Sequence, residues 1–204
     1  MKIKRVLIVL PLLFTALISA DYRQGVDYRL VDNPLPVKKD GVVEVTEVFW
    51  YECAACFAFY PAVSRWSKSL DDDVSFKKMH VTWQKIHQSQ AAMFYVIESL
   101  KLGEEAHSAA FFGIHKEGKR LRSDNQIVDF LKNFGITSDQ ARQYLKSFSI
   151  NQKVKRADKT IRQLQIQSTP SVIVDGKYII TPKRTYEEFF KVVEHVVNIQ
   201  KPNS

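Results

Sequence analysis

Residues 45–61 read VTEVFWYECAACFAFYP. The first half is β-branched and aromatic, which predicts a strand over residues 42–50. The strand runs directly into Cys53 and Cys56, after which residues 57–70 carry helical spacing. A cysteine at the mouth of a helix meets the unpaired N–H groups and positive dipole end of the first turn, which favour thiolate over thiol. A stabilised thiolate is a good leaving group. Cys53 is therefore expected to exchange disulfides and Cys56 to resolve the mixed disulfide. As a structural staple the pair is poor, because so small a loop removes little chain entropy. The alternatives are an inert disulfide and a zinc site. Zinc would need two further ligands, and none of His80, His87, His107, His115 and His195 pairs at ligand spacing with another cysteine. No metal is assigned, and no cofactor is expected beyond the redox-active disulfide.

Working outward, residues 74–81 form a second strand-like run after the acidic turn at 71–73. Strand, helix and strand in that order predict a parallel pair with a right-handed crossover. The pattern over residues 88–165 is helical. Ser123 with Gln126 and Thr137 with Gln140 have capping-box spacing, and Gly135 can end the helix between them. Residues 171–174 and 177–180 then flank Asp175-Gly176, a turn suited to a tight hairpin. Thr185 with Glu188 opens a last helix whose apolar side carries Phe189, Phe190, Val193 and Val197, and an early strand is expected near residues 28–30. The fold class is α/β, a thioredoxin-like fold with an inserted helical domain. Its expected division is residues 21–87 and 166–204 for the frame and 88–165 for the insertion.

The 204 residues are 45% hydrophobic, enough for a sizeable core, and carry a formal charge of +8. Lys2, Lys4 and Arg5 precede an apolar run over residues 6–18, and this has the form of a secretory signal peptide over residues 1–20. The run is short for a membrane span, which needs about 20 residues, so cleavage is expected rather than anchoring. Removing the signal lowers the charge from +8 to +5. The remaining cations are scattered among acids, which argues against nucleic-acid binding.

Strand parity puts Glu47 on one face with Val43, Val45 and Phe49, and Lys78 on one face with Val74, Phe76 and His80. Glu47 and Lys78 either pair, buried beneath the cysteines where they would tune proton transfer at Cys56, or both reach solvent. Thr169-Pro170 precedes the first hairpin strand. It is either an ordinary loop proline or a cis bond forming a tight, exposed backbone turn.

Four segments, residues 45–61, 78–83 (KMHVTW), 121–136 (LRSDNQIVDFLKNFGI) and 168–180 (STPSVIVDGKYII), together resemble the DsbA family of periplasmic thiol:disulfide interchange proteins. The resemblance implies Cys53 as nucleophile, Cys56 as its partner, Pro170 as a cis proline with Thr169 beside the client, and Glu47 with Lys78 as a buried pair. It also implies a periplasmic dithiol oxidase that donates disulfides to reduced exported proteins and is reoxidised by a quinone-linked membrane protein of DsbB type. Three departures matter. Ala54-Ala55 stands where the family has Pro-His, Glu52 places a carboxylate directly before Cys53, and Thr169 replaces a common valine. The first two are expected to weaken the oxidant, with the Glu52 charge exposed and screened. A reductase or isomerase, and a redox-inert peptide-binding holdase, are the competing readings. A monomer is the default, since no dimerisation module is visible.

Overall fold

The computed structural model describes residues 22–37, 40–183 and 185–201; the expected signal peptide lies outside these residues. Its element order is β1 (Arg29–Leu30), β2 (Val43–Phe49), α1 (Ala54–Trp66), a 3-10 turn (Ser67–Ser69), β3 (Val74–His80), α2 (Lys85–Ser99), α3 (Gly103–His115), α4 (Asp124–Lys132), α5 (Ser138–Lys146), α6 (Phe148–Gln163), β4 (Ser171–Val174), β5 (Tyr178–Ile180) and α7 (Tyr186–Gln200). The sheet runs β1-β5-β4-β2-β3. β2 pairs in parallel with β3 and antiparallel with β4, and the remaining neighbours are antiparallel. This is the mixed sheet of a thioredoxin-like frame, with α2 to α6 inserted between β3 and β4.

Alternation along β2 distributes its side chains between two layers. Val43 and Val45 enter a core with Phe59, Val63 and Trp66 of α1 and with Phe189, Phe190, Val193 and Val197 of α7. Val48 faces the opposite way, toward Ala157 and Ile161 of α6 and Ile173 of β4. At the end of β2, Phe49 and Tyr51 pass into a third cluster built with Met93, Phe94 and Ile97 of α2, Phe111 of α3 and Ile127 and Leu131 of α4. The strand that leads to the cysteines is therefore gripped by both the sheet frame and the helical block.

Several boundaries moved from their expected positions for identifiable reasons. Helix α1 begins at Ala54 rather than residue 57, because Cys53 itself serves as the N-cap and two alanines, the best helix formers, follow it. It ends at Trp66, and the chain continues into the 3-10 turn rather than as α-helix to residue 70. Helix α2 opens at Lys85, ahead of residue 88, where the Gln84 and His87 side chains and backbones cap each other. The capping boxes at Ser123/Gln126 and Thr137/Gln140 are both formed.

The hairpin turn carries φ of +48° at Asp175 and +60° at Gly176, the paired positive angles of a two-residue turn matched to strand twist. A Cβ at residue 176 would also lie 2.6 Å from Leu35 Cβ. Gly176→Ala should therefore destabilise the protein by about 2 kcal/mol or more, combining left-handed strain with overpacking. Urea denaturation checks this, and an unchanged midpoint would show that the loop around Leu35 yields freely.

Candidate active site

The end of β2 and the start of α1 place Cys53 where the sequence predicts a helix mouth. Its φ and ψ of −76° and 114° are those of an N-cap, and its sulfur accepts the Cys56 backbone N–H at 3.2 Å. A side chain that normally caps with oxygen is here replaced by sulfur. Both cysteines are free thiols, Cys53 partly exposed and Cys56 fully buried. Ala54 and Ala55, between them, are exposed to solvent, and Ala55 reaches the sulfur through its backbone N–H.

The two thiols are driven apart electrostatically. A hydrogen bond from the Cys56 side chain, then one from Thr169 and the backbone N–H groups of Cys56 and Ala55, lower the Cys53 thiol to about 5 against the opposing effect of burial. Burial and the facing Cys53 sulfur push the Cys56 thiol far up. One sulfur is held as an anion and the other as a protonated thiol.

The Thr169-Pro170 bond is cis. The Cys53 sulfur lies 3.5 Å from the Thr169 carbonyl oxygen, to which its thiol form donates. Thr169 is partly exposed, whereas the Pro170 ring is buried. The redox pair and this loop, over a hundred residues apart in sequence, thus share one small surface.

Glu52 differs from the expected exposed charge. Its side chain is only 11% accessible, and Arg122 grips it with two guanidinium nitrogens, Nε at 2.8 Å and Nη2 on the second oxygen. Gln90 adds a bond to the same carboxylate at 2.8 Å while its own oxygen accepts from Trp50 Nε1 at 2.9 Å. Burial raises the Glu52 pKa, yet the bonds and charge of Arg122 bring it below the usual carboxylate range. The negative charge beside Cys53 is therefore neutralised at short range rather than left to bulk screening.

The Glu47 and Lys78 expectation needs a different correction. The two residues are register partners on β2 and β3. Even so, the Lys78 ammonium bonds to Glu104 of α3, which also accepts the Tyr60 hydroxyl at 2.7 Å. Glu104 sits nearer the surface, where the ion pair keeps part of its hydration and avoids a deep desolvation cost. Glu47 is left 2% exposed with one carboxylate oxygen unpartnered. Burial raises its pKa to about 7, with Lys78 drawing it down and Glu104 adding to the rise.

Three imidazoles, those of His80 and His107 buried and that of His115 partly so, hold Tyr51 beside the site. His80 Nδ1–H donates to the Val81 carbonyl at 2.7 Å and its Nε2 accepts the Tyr51 N–H at 3.3 Å, so it is neutral, and burial pushes it down to about 3. His107 Nδ1 is hydrogen-bonded to the Tyr51 hydroxyl at 2.9 Å. His115 Nε2–H donates to the Tyr51 carbonyl at 2.8 Å and its ring stacks on Phe57 at 4.5 Å. Among the described residues, no group of three or more His, Cys, Asp or Glu could hold a metal ion. Sequence reasoning missed Arg122, Gln90, Glu104 and His115. Arg122 lay in a segment already singled out, but nothing local ties it to a carboxylate 70 residues earlier.

Comparison with known proteins places this arrangement. The family described as DSBA-like thioredoxin domain matches residues 59–193, a stretch that begins just after the cysteine pair. The thiol:disulfide interchange protein DsbA of Pseudomonas aeruginosa is 34% identical over 158 residues, covering 78% of this chain and 75% of that protein. The protein of the same name from Azotobacter vinelandii is 31% identical over 163 residues, covering 80% and 76%. The crystal structure of Pseudomonas aeruginosa DsbA superposes with a TM-score of 0.83 at 31% identity, over 88% of this chain and 94% of that one.

Two measurements test the electrostatics. Folding takes up a proton at Glu47 between its unfolded value of 4.5 and its folded value of about 7, so this group's stabilising contribution is complete below pH 4.5 and is lost as pH rises through 7. Glu47→Gln should flatten that decline, a relative gain on the order of 3 kcal/mol on the alkaline side. Denaturation at both ends of the window reads it, and an equal decline in both proteins would refute the assignment. At the clamp, Arg122→Met should raise the Cys53 thiol pKa and Glu52→Gln should lower it, each by about half a pH unit. Thiolate ultraviolet absorbance reports both, and shifts of the same sign would mean that the pair acts by packing alone.

Proposed function

The chain belongs to the DsbA-like thioredoxin family, and from that membership we propose that it oxidises reduced exported proteins in the periplasm through Cys53 and Cys56. Its activity class is thiol-disulfide oxidoreductase, acting by cysteine exchange on protein substrates and served by a redox partner. The direction of electron flow and the roles of individual residues are our reading.

In the proposed cycle a client thiolate attacks Cys53 Sγ of the oxidised pair. The client–Cys53 bond forms, the Cys53–Cys56 bond breaks, and Cys56 leaves and takes up a proton. A second client thiolate then attacks the client sulfur of the mixed disulfide, forming the client disulfide and releasing Cys53 as thiolate. Two electrons now reside on the dithiol. A quinone-linked membrane protein of DsbB type takes them, with Cys56 resolving the mixed disulfide made on the way.

The observation that carries the oxidase reading is the Cys53 sulfur, partly open to solvent, accepting the Cys56 N–H at 3.2 Å and lowered to about 5 by the hydrogen bonds that converge on it. Stabilising this thiolate stabilises the reduced form, and so makes the disulfide a stronger oxidant. The other members of the site take supporting roles. Thr169 and Pro170 form the backbone edge against which the client segment lies. Glu47, buried on the face of β2 that α1 covers, accepts or returns the proton that Cys56 gains and loses. Lys78, through Glu104, and the solvent-facing Ala54 and Ala55 set the remaining electrostatics. We take residues 21–87 and 166–204 as the thioredoxin-like domain, residues 88–165 as the insertion, and the protein as a monomer. The absence of a histidine between the cysteines favours a milder couple, and Thr169 before the proline resembles the reductases and isomerases of the wider superfamily; together these are the argument for a reductase or isomerase.

Iodoacetamide alkylation of Cys53 should follow a titration with its midpoint near pH 5. Equilibration with glutathione should give a potential well above thioredoxin's, about −270 mV, and a value close to that figure would make the protein a reductase. Cys53→Ser should abolish oxidative refolding of a reduced client. Full activity in that variant would leave only the holdase.

A further inference from the structure

The segment over residues 115–122, HKEGKRLR, joins α3 to α4 and meets the redox site at four points. His115 holds the Tyr51 carbonyl and stacks on Phe57. Lys116 Nζ stands 5.6 Å from the centre of the Phe57 ring. The Arg120 carbonyl accepts from Gln90 at 3.2 Å, and Arg122 grips Glu52. Tyr51, Glu52 and Phe57 are the residues that bracket Cys53 and Cys56. The segment is thus a wall of the site, fastened on both sides of the cysteine pair.

Its charges do not cancel. Glu117, the one acid in the segment, is paired with Lys119 at 2.7 Å, and Arg122 is used by Glu52. Lys116 and Arg120 remain, both exposed and without a carboxylate partner among the described residues. Their backbone positions are nevertheless fixed. The Lys116 N–H bonds to the Phe112 carbonyl at 2.8 Å, and Leu121, between Arg120 and Arg122, is buried in the insertion core. Two cations without a carboxylate partner, carried on a backbone anchored to the residues that flank the cysteines, form a surface rather than a diffuse basic face.

We infer that residues 115–122 are a client-recognition wall that favours reduced segments carrying acidic side chains next to their cysteine. The inference rests on the reading of Cys53 as the exchanging sulfur and adds the substrate class. An acidic residue near the client cysteine meets Lys116 or Arg120 while the client sulfur is at Cys53. A basic one meets the same cations and is repelled. The discrimination works mainly on encounter rate and weakens with salt.

The test uses three reduced peptides of one length and backbone, with the cysteine flanked by Asp and Glu, by Ser and Gln, or by Lys and Arg. Their oxidation by the full, oxidised protein is followed at low and high ionic strength, with rates expressed per thiolate so that each peptide's own thiol pKa is removed. The expected order is acidic, neutral, basic. The acidic peptide should exceed the basic one about tenfold at low salt, narrowing to about twofold at high salt. Lys116→Gln with Arg120→Gln should bring the ratio close to one and leave the neutral peptide's rate unchanged. Both are surface residues outside the exchange machinery, and each can be changed singly should the double variant express poorly. Equal rates for the acidic and basic peptides in the unaltered protein would overturn the inference. So would a ratio that survives in the double variant, because the selecting charges would then lie elsewhere. Failure to oxidise even the neutral peptide would instead count against the exchange reading itself.

Discussion

The Cys56 amide reaches back 3.2 Å to the sulfur of Cys53, and this contact is possible only because the chain leaves β2 and turns at once into a helix. A helix start has donors to spare, and here one of them meets sulfur instead of the usual oxygen. The strand's alternation, the grip of two cores on its end and the neutral His80 that receives the Tyr51 amide all fix where that turn occurs. With the turn displaced by one residue, the sulfur would face the sheet and the donors would face water.

Much of this was legible from residues 45–61, because strand, cysteine pair and helix are local features written in side-chain type and period. The hairpin at Asp175-Gly176 and the caps at Ser123 and Thr137 were legible for the same reason, since each is decided within four residues. The periodic run marks α1 only from residue 57, because the exposed Ala54 and Ala55 of its first turn carry no apolar period.

Long side chains were where the reading ran out. Parity correctly set Glu47 beside Lys78, but parity fixes a backbone position, and a lysine's four-carbon stem lets its charge settle elsewhere. Glu104 offered a wetter partner, from an element that no periodicity ties to β3. Glu52 tells the converse story. Judged alone it was a free charge, and only the return of the chain at Arg122 cancels it. Both corrections come from the insertion, whose helices were predictable as helices but whose docking onto the frame was not.

Sheet order adds a point about modularity. The insertion leaves from β3 and re-enters at β4, and these are the two strands that flank β2 on either side. Backbone ladders therefore help fix the interval between the cysteine pair and the Thr169-Pro170 turn that leads into β4, whatever chain is spliced between His80 and that turn. The helical block could be lengthened, shortened or recharged without altering the spacing at which sulfur chemistry proceeds.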